Sequence, residues 1–193
     1  LFNGKMDEPI LLKIKKKDKS VFTTTVSRKL KSNYKRESYV LKITNDNIAY
    51  LTINDFENQN YRKIFDSLYV NILKTKALII DVRNNGGGSS NQGYYVLCHL
   101  IDKKTTNSKS KTRQYVPLAK ANGNSDTFIE YAPYSLEPIQ NKEKYTKPVV
   151  VLTSVKTFSA AEDFLIAYDK SKRGMKIAQK TGGSTGQPIS FDL

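Results

Sequence analysis

The sequence predicts an α/β core of strand–helix units over residues 38–193, preceded by a short all-β unit. Three observations predict it. ALIIDV (77–82) and PVVVLT (148–153) are short apolar runs with the length and composition of strands buried on both faces. Each is followed by a Gly- or Ser-rich junction, and each junction opens into a stretch of helical period. Strand–helix–strand alternation of this kind builds a sheet that is at least partly parallel.

The elements follow in order. Residues 10–16 (ILLKIKK) and 20–27 (SVFTTTVS) are β-rich and flank Lys17-Asp18-Lys19, which predicts a hairpin. Residues 28–37 are charged and without period, so they suit a linker. SYVLKIT (38–44) and IAYLTI (48–53) flank Asn45-Asp46-Asn47 and predict a second hairpin. Over 59–74, Ile64, Phe65, Leu68, Tyr69, Ile72 and Leu73 recur at i, i+1, i+4, i+5, i+8 and i+9, one stripe of an amphipathic helix. After the strand at 77–82, RNNGGGSS is a turn and 90–101 a helix. Residues 103–112 read as loop and 112–119 as an edge strand that Pro117 demotes. Residues 120–147 have no clear period and read as an insertion or lid-like loop. The strand at 148–153, a helix at 159–171, a short strand at 175–179 and the Gly-rich loop TGGSTGQP (181–188) complete the chain.

Composition bounds the function. The 193 residues carry 32 Lys+Arg against 18 Asp+Glu, a net charge of +14. The lysines are spread along the chain, and the dense run Lys13–Lys19 falls on a predicted hairpin, where it forms a solvated face rather than a nucleic-acid patch. The twelve tyrosines do not alternate with the lysines as a single-strand binder would favour, so no nucleic-acid partner is expected. One Cys and one His exclude a disulfide framework, a multi-cysteine zinc site and a multi-histidine metal site within these residues, and no metal or other cofactor is expected. No apolar run reaches the roughly 18 residues that span a bilayer, so no transmembrane segment is expected here. The chain opens LFNGKMDEPI, without initiator Met or signal-peptide pattern, and is expected to be part of a longer or processed protein.

Two junctions can carry chemistry. In LIIDVRNNGGGSS, three glycines after a buried strand expose backbone N–H groups just ahead of a helix N-terminus, where negative charge is stabilised. The arrangement suits an oxyanion or phosphate cradle, and equally a tight turn. It matches neither the P-loop nor G-x-G-x-x-G. In VVVLTSVKTFSAAEDFL, Ser159 sits where a strand gives way to a helix, a place where a nucleophile is exposed and Ala160 can offer its backbone N–H. Locally the pattern fits as well a helix cap, with Glu162 three residues after Ser159 completing a capping box.

Together the two junctions have a family resemblance. Asp81-Val82-Arg83-Asn84-Asn85-Gly86-Gly87-Gly88, Ser159-Ala160-Ala161-Glu162 and Thr181-Gly182-Gly183-Ser184-Thr185-Gly186-Gln187 resemble, in order and type, the motifs of the C-terminal processing (tail-specific) serine peptidases, relatives of the tricorn protease core. The resemblance covers residues 38–193 and implies a ClpP/crotonase-like core. Residues 1–28 resemble, more weakly, the end of the PDZ-like module that precedes that core. The implied domains are 1–28, a linker at 29–37 and a catalytic core at 38–193. The resemblance further implies a serine endopeptidase acting on polypeptides, with Ser159 as nucleophile and an oxyanion hole from Ala160 and either Gly87 or Gly88. It also implies export to a bacterial periplasm or cell envelope.

One departure from the family pattern is informative. The commoner branch places a Lys 25 residues after the nucleophile, and that position is Ser184 here. A hydroxyl has no basic pKa and cannot be the general base. Lys180 occupies a different motif position. The lone His99, among Val96, Leu97, Leu100 and Ile101, reads as part of a packed helix. The tricorn-like branch draws its base from a distant upstream His and its orienting carboxylate from downstream, so both are expected outside residues 1–193, with Ser184 in a supporting or substrate-binding role. Two other readings use the same fold: a non-catalytic ligand or peptide binder, and a crotonase-like acyl-thioester enzyme. The latter needs no nucleophilic Ser and fits RNNGGG less well.

Overall fold

The computed structural model describes residues 8–27, 36–124 and 127–186. The chain divides into two units, Leu1–Arg36 and Glu37–Leu193. In the first, β1 (Ile10–Lys15) and β2 (Val21–Val26) pair antiparallel, with Ile10 opposite Val26 and Lys15 opposite Val21. Asp18 closes the turn: its Oδ1 accepts the Ser20 amide at 2.9 Å and the Ser20 hydroxyl at 2.6 Å. The lysines of the run are exposed, as a solvated hairpin face requires. Most of the expected linker, residues 28–35, lies outside the described residues.

The second unit runs β3 (Tyr39–Ile43), β4 (Ile48–Ile53), α1 (Tyr61–Ile72), β5 (Ala77–Asp81), α2 (Ser90–Cys98), β6 (Thr105–Thr106), β7 (Ser110–Gln114), α3 (Pro117–Ala121), β8 (Thr127–Tyr131), β9 (Ser135–Leu136), β10 (Val149–Thr153), α4 (Ala160–Ser171) and β11 (Met175–Ala178). Five strands form one mixed sheet in the order β11-β10-β5-β4-β3. The tight turn between β3 and β4 makes that pair antiparallel, while helical crossovers make β4–β5, β5–β10 and β10–β11 parallel. The two apolar runs are therefore central neighbours, with Val149 opposite Leu78 and Leu152 opposite Asp81. The stripe predicted on α1 buries Phe65, Tyr69 and Ile72. Helix α4 buries Phe164, Leu165 and Tyr168.

The insertion differs from its prediction. Residues 103–112 contain β6 and the start of β7 rather than a loop alone. The strand expected at 112–119 stops at Gln114, and Pro117 opens α3 instead of weakening an edge strand. Proline lacks an N–H that the first helical position does not need, and its fixed φ fits that turn. The expected lid-like loop at 120–147 contains β8, paired with β7, and β9, paired with β6. The residues of β7 and the described side chains of β8 are exposed, so no apolar alternation marked the hairpin in the sequence. Helix α2 ends at Cys98 rather than at 101.

Helices α2 and α4 meet at Gly93, where an added Cβ would lie 2.8 Å from Phe164 Cβ and 3.1 Å from the Phe56 ring. Gly93→Val should lower unfolding free energy by about 1–3 kcal/mol through overpacking, read as a lower denaturation midpoint with unchanged slope.

Candidate active site

The parallel arrangement puts the C-terminal ends of β5, β10 and β11 on one edge, where sites of open α/β sheets lie. Three segments leave that edge: 82–89, 154–159 and 179–186. Side chains and amides stitch them together. Asp81, at the end of β5, is buried and takes the Arg83 guanidinium on both oxygens, at 2.9 and 2.7 Å. Tyr50 donates to the same carboxylate at 2.7 Å, and the Arg83 amide does so at 3.0 Å. Burial pushes the Asp81 carboxyl up, but the hydrogen bonds from Arg83 and Tyr50 outweigh it and hold the group below the ordinary aspartate value.

The second segment hangs on the first. Thr157 Oγ1 donates to Val82 O at 2.8 Å, Ser154 Oγ donates to Arg83 O, and the Phe158 amide donates to Asn85 O at 3.0 Å. Gly87 and Gly88 both have positive φ, 109° and 126°. A Cβ on Gly87 would stand 2.7 Å from Ser159 Cβ, and one on Gly88 would stand 2.3 Å from Phe56 O. Only glycine lets the turn come this close.

Ser159 is itself strained. Its φ of 52° and ψ of −124° fit the first central position of a type II′ turn, a position that favours glycine. The Ala161 amide closes that turn onto Phe158 O at 3.1 Å. Backbone strain of this kind costs of order 1–3 kcal/mol and collects at functional sites. Gly87 N–H is bound by Asn85 Oδ1 at 2.9 Å, whereas the N–H groups of Gly88 and Ala160 donate to no group among the described residues. Gly88 and Ser159 both line a cavity of about 890 Å³, and Gly87 does not. Of the two glycines offered by the sequence, Gly88 is the one with an amide free to bind a ligand.

The third segment is held by Glu162. Its carboxylate accepts the amides of Gly183 at 2.7 Å, Ser184 at 2.9 Å and Ser159 at 3.1 Å. Burial pushes this carboxyl up, yet hydrogen bonds from Thr181, Ser184, Gly183 and Ser159 prevail and lower it. The Ser159 amide is shared with Ser184 O at 3.0 Å, so the backbone of Ser184 lies against Ser159. The capping box seen in the sequence is present as well, with Ser159 at the helix start and Glu162 three residues on. Cap and strained turn are the same structure.

The other weighed residues lie elsewhere. His99 is fully buried; its Nδ1 is 2.8 Å from Tyr95 O, and its ring stacks edge-on against Phe65, Tyr69 and Tyr95. Burial holds its pKa below the ordinary histidine value. Lys180 is exposed, and among the described residues no His, Lys or Arg is hydrogen-bonded to Ser159. Sequence reasoning missed Asn85, which fixes Gly87, and the grip of Glu162 on the 181–184 loop. The available signal was an Asx-type turn and a capping glutamate, both common for reasons unrelated to a site.

Comparison with known proteins agrees with this arrangement. The model of peptidase family S41 matches residues 47–193. The chain therefore belongs to peptidase family S41. Its fold is shared by a putative peptidase from Parabacteroides merdae (25% identity, TM-score 0.65, 85% of this chain and 50% of that one). It is shared also by the photosystem II D1 C-terminal processing protease (19% identity, TM-score 0.64, 93% and 46%) and a lipoprotein from Streptococcus agalactiae (20% identity, TM-score 0.54, 81% and 54%). The chain spans about half the length of these structures.

Two outcomes follow from this geometry. Ser159→Gly should raise stability by about 1 kcal/mol, because glycine adopts the strained backbone freely, while Ser159→Ala should not. Paired denaturation curves check this. For Glu162 the lowered pKa means its contribution is complete above the ordinary glutamate value of 4.5 and fades as pH falls through the lowered one. The stability gap between wild type and Glu162→Gln should be widest at neutral pH and close in acid, read from urea midpoints across that range.

Proposed function

We propose that the chain carries the nucleophile and oxyanion hole of a serine endopeptidase acting on polypeptides. The observation that carries this is Ser159 on a strained turn at a helix N-terminus, beside the unclaimed amides of Gly88 and Ala160. Ser159 Oγ attacks the scissile carbonyl and gives its proton to a general base. The carbonyl oxygen becomes an oxyanion held by the Gly88 and Ala160 amides, each worth roughly 3–4 kcal/mol in the transition state. The base returns the proton to the leaving amine, and water then cleaves the acyl-enzyme. Each oxyanion donor alone offsets the backbone strain at Ser159, so holding the turn strained is favourable for the reaction.

The base in this proposal comes from outside residues 1–193, as in the tricorn-like branch. Ser184 supports that: it holds the place of the lysine base of the commoner branch, its amide is tied to Glu162 and its side chain is exposed. It is proposed to bind substrate. The proposed setting is the cell envelope, with residues 1–28 as the end of a PDZ-like module. Support is the family resemblance; among the described residues no helix is long and apolar enough to cross a membrane.

A serine-directed fluorophosphonate and unfolded casein test the proposal. In the whole protein, Ser159→Ala should abolish labelling and lower turnover at least a thousandfold, roughly, while Ser184→Ala should lower it less than about tenfold. Residues 1–193 alone should be inert, and Ser184→Lys should not rescue them. Turnover by residues 1–193 that vanishes in Ser159→Ala would place the base within them and retire the tricorn-like assignment.

A further inference from the structure

The cavity beside Ser159 has a chemistry of its own. One wall is the first turn of α4, where the Asp163 amide donates to Ser159 O at 3.2 Å, placing the two residues one helical turn apart. The Asp163 carboxylate is half-buried. Its Oδ2 accepts the Ser90 hydroxyl at 2.7 Å, a neutral partner. Among the described residues its Oδ1 accepts nothing and no cation pairs with it. A second wall is aromatic: Tyr94, buried on α2, meets Tyr134 of the insertion edge-on with ring centres 5.7 Å apart. Burial, and next the negative charge of Asp163, push the Tyr94 phenol up.

Two lysines also line the cavity, but at its exposed side. Lys111 is engaged there, 3.7 Å from Glu130 and 4.3 Å from the centre of the Phe128 ring. Lys109 is exposed to solvent. The more enclosed charge is the acid. A long side chain entering past the tyrosines would lay its apolar stem on the rings and bring its end to Asp163. Lysine and arginine have that form, an apolar stem with a charged head. Tyrosine faces further favour a cation over an anion.

We infer that this cavity is the pocket for a lysine or arginine side chain next to the cleaved bond, with Asp163 as the specificity-determining carboxylate. The inference rests on the peptidase reading of Ser159. The substrate class is then a basic stretch of unfolded polypeptide rather than an apolar or acidic one.

The test separates pocket from chemistry. The whole protein carrying Ser159→Ala is titrated with pairs of labelled peptides that differ by one arginine or its neutral isostere citrulline at each position in turn. At one position arginine should bind about tenfold more tightly, and the ratio should shrink in high salt. Asp163→Asn keeps the shape and can still accept from Ser90, and it should erase the ratio. With Ser159 intact, kcat/KM should show the same preference at the residue before the cleaved bond. Equal binding of every arginine and citrulline pair, a preference for glutamate, or a ratio that survives Asp163→Asn overturns the inference. The first comparison leaves Asp163 untouched, so it decides even where Asp163→Asn fails to fold. A clear binding ratio without cleavage by the Ser159 protein would sink the peptidase reading and leave the pocket standing.

Discussion

The Glu162 carboxylate is the interaction on which the site depends. It is 6% exposed, and it takes backbone amides from both the Ser159 turn and the 181–184 loop. Hydrogen bonds to a charged group are worth about 1.5–3 kcal/mol each, so a single one is comparable to the strain that Ser159 stores. The position also suits the charge, since the first turn of a helix favours an anion. Loss of this carboxylate would release the loop and the turn at once.

Asp81 does the equivalent work one strand away. Its four hydrogen bonds, from Arg83, the Arg83 amide and Tyr50, fix the direction in which the chain leaves β5. From there Val82, Arg83 and Asn85 present carbonyls to Thr157, Ser154 and Phe158. The glycines that follow are thereby set against Ser159 by backbone geometry, with side chains acting only as anchors. Two buried carboxylates, one at the end of β5 and one in the first turn of α4, anchor the three connections in one place.

Much of this was legible in the sequence because the relevant signals are local. The runs at 77–82 and 148–153 declared buried strands through uninterrupted apolar residues, and the α1 stripe declared its buried face. Gly87, Gly88, Ser159 and Ala160 each fit a plain turn or helix cap locally, and stood out because the motifs around them, taken in order, resemble those of one family. Choosing Gly88 over Gly87 was not legible: it turns on where Asn85 Oδ1 points, a property of the folded turn. The hairpin of β7 and β8 was hidden because neither strand buries a face, and Pro117 has two meanings that only the chain path separates. Asp163 carries no local signal in the sequence, because only the fold brings α2 and the insertion to the same cavity.

The insertion between α2 and β10 has a consequence for how such a protein changes over time. Strands β6 to β9 pair only with one another and add nothing to the five-stranded sheet. They nevertheless supply Tyr131, Tyr134 and residues 107–112 to the wall of the cavity that Ser159 lines. Mutational drift in this appendage can remodel the wall while the sheet register and both carboxylate anchors stay as they are. The insertion side of that wall thus lies on a stretch of chain separate from the one that sets Ser159 and Asp163, so its contour can drift while their placement is kept.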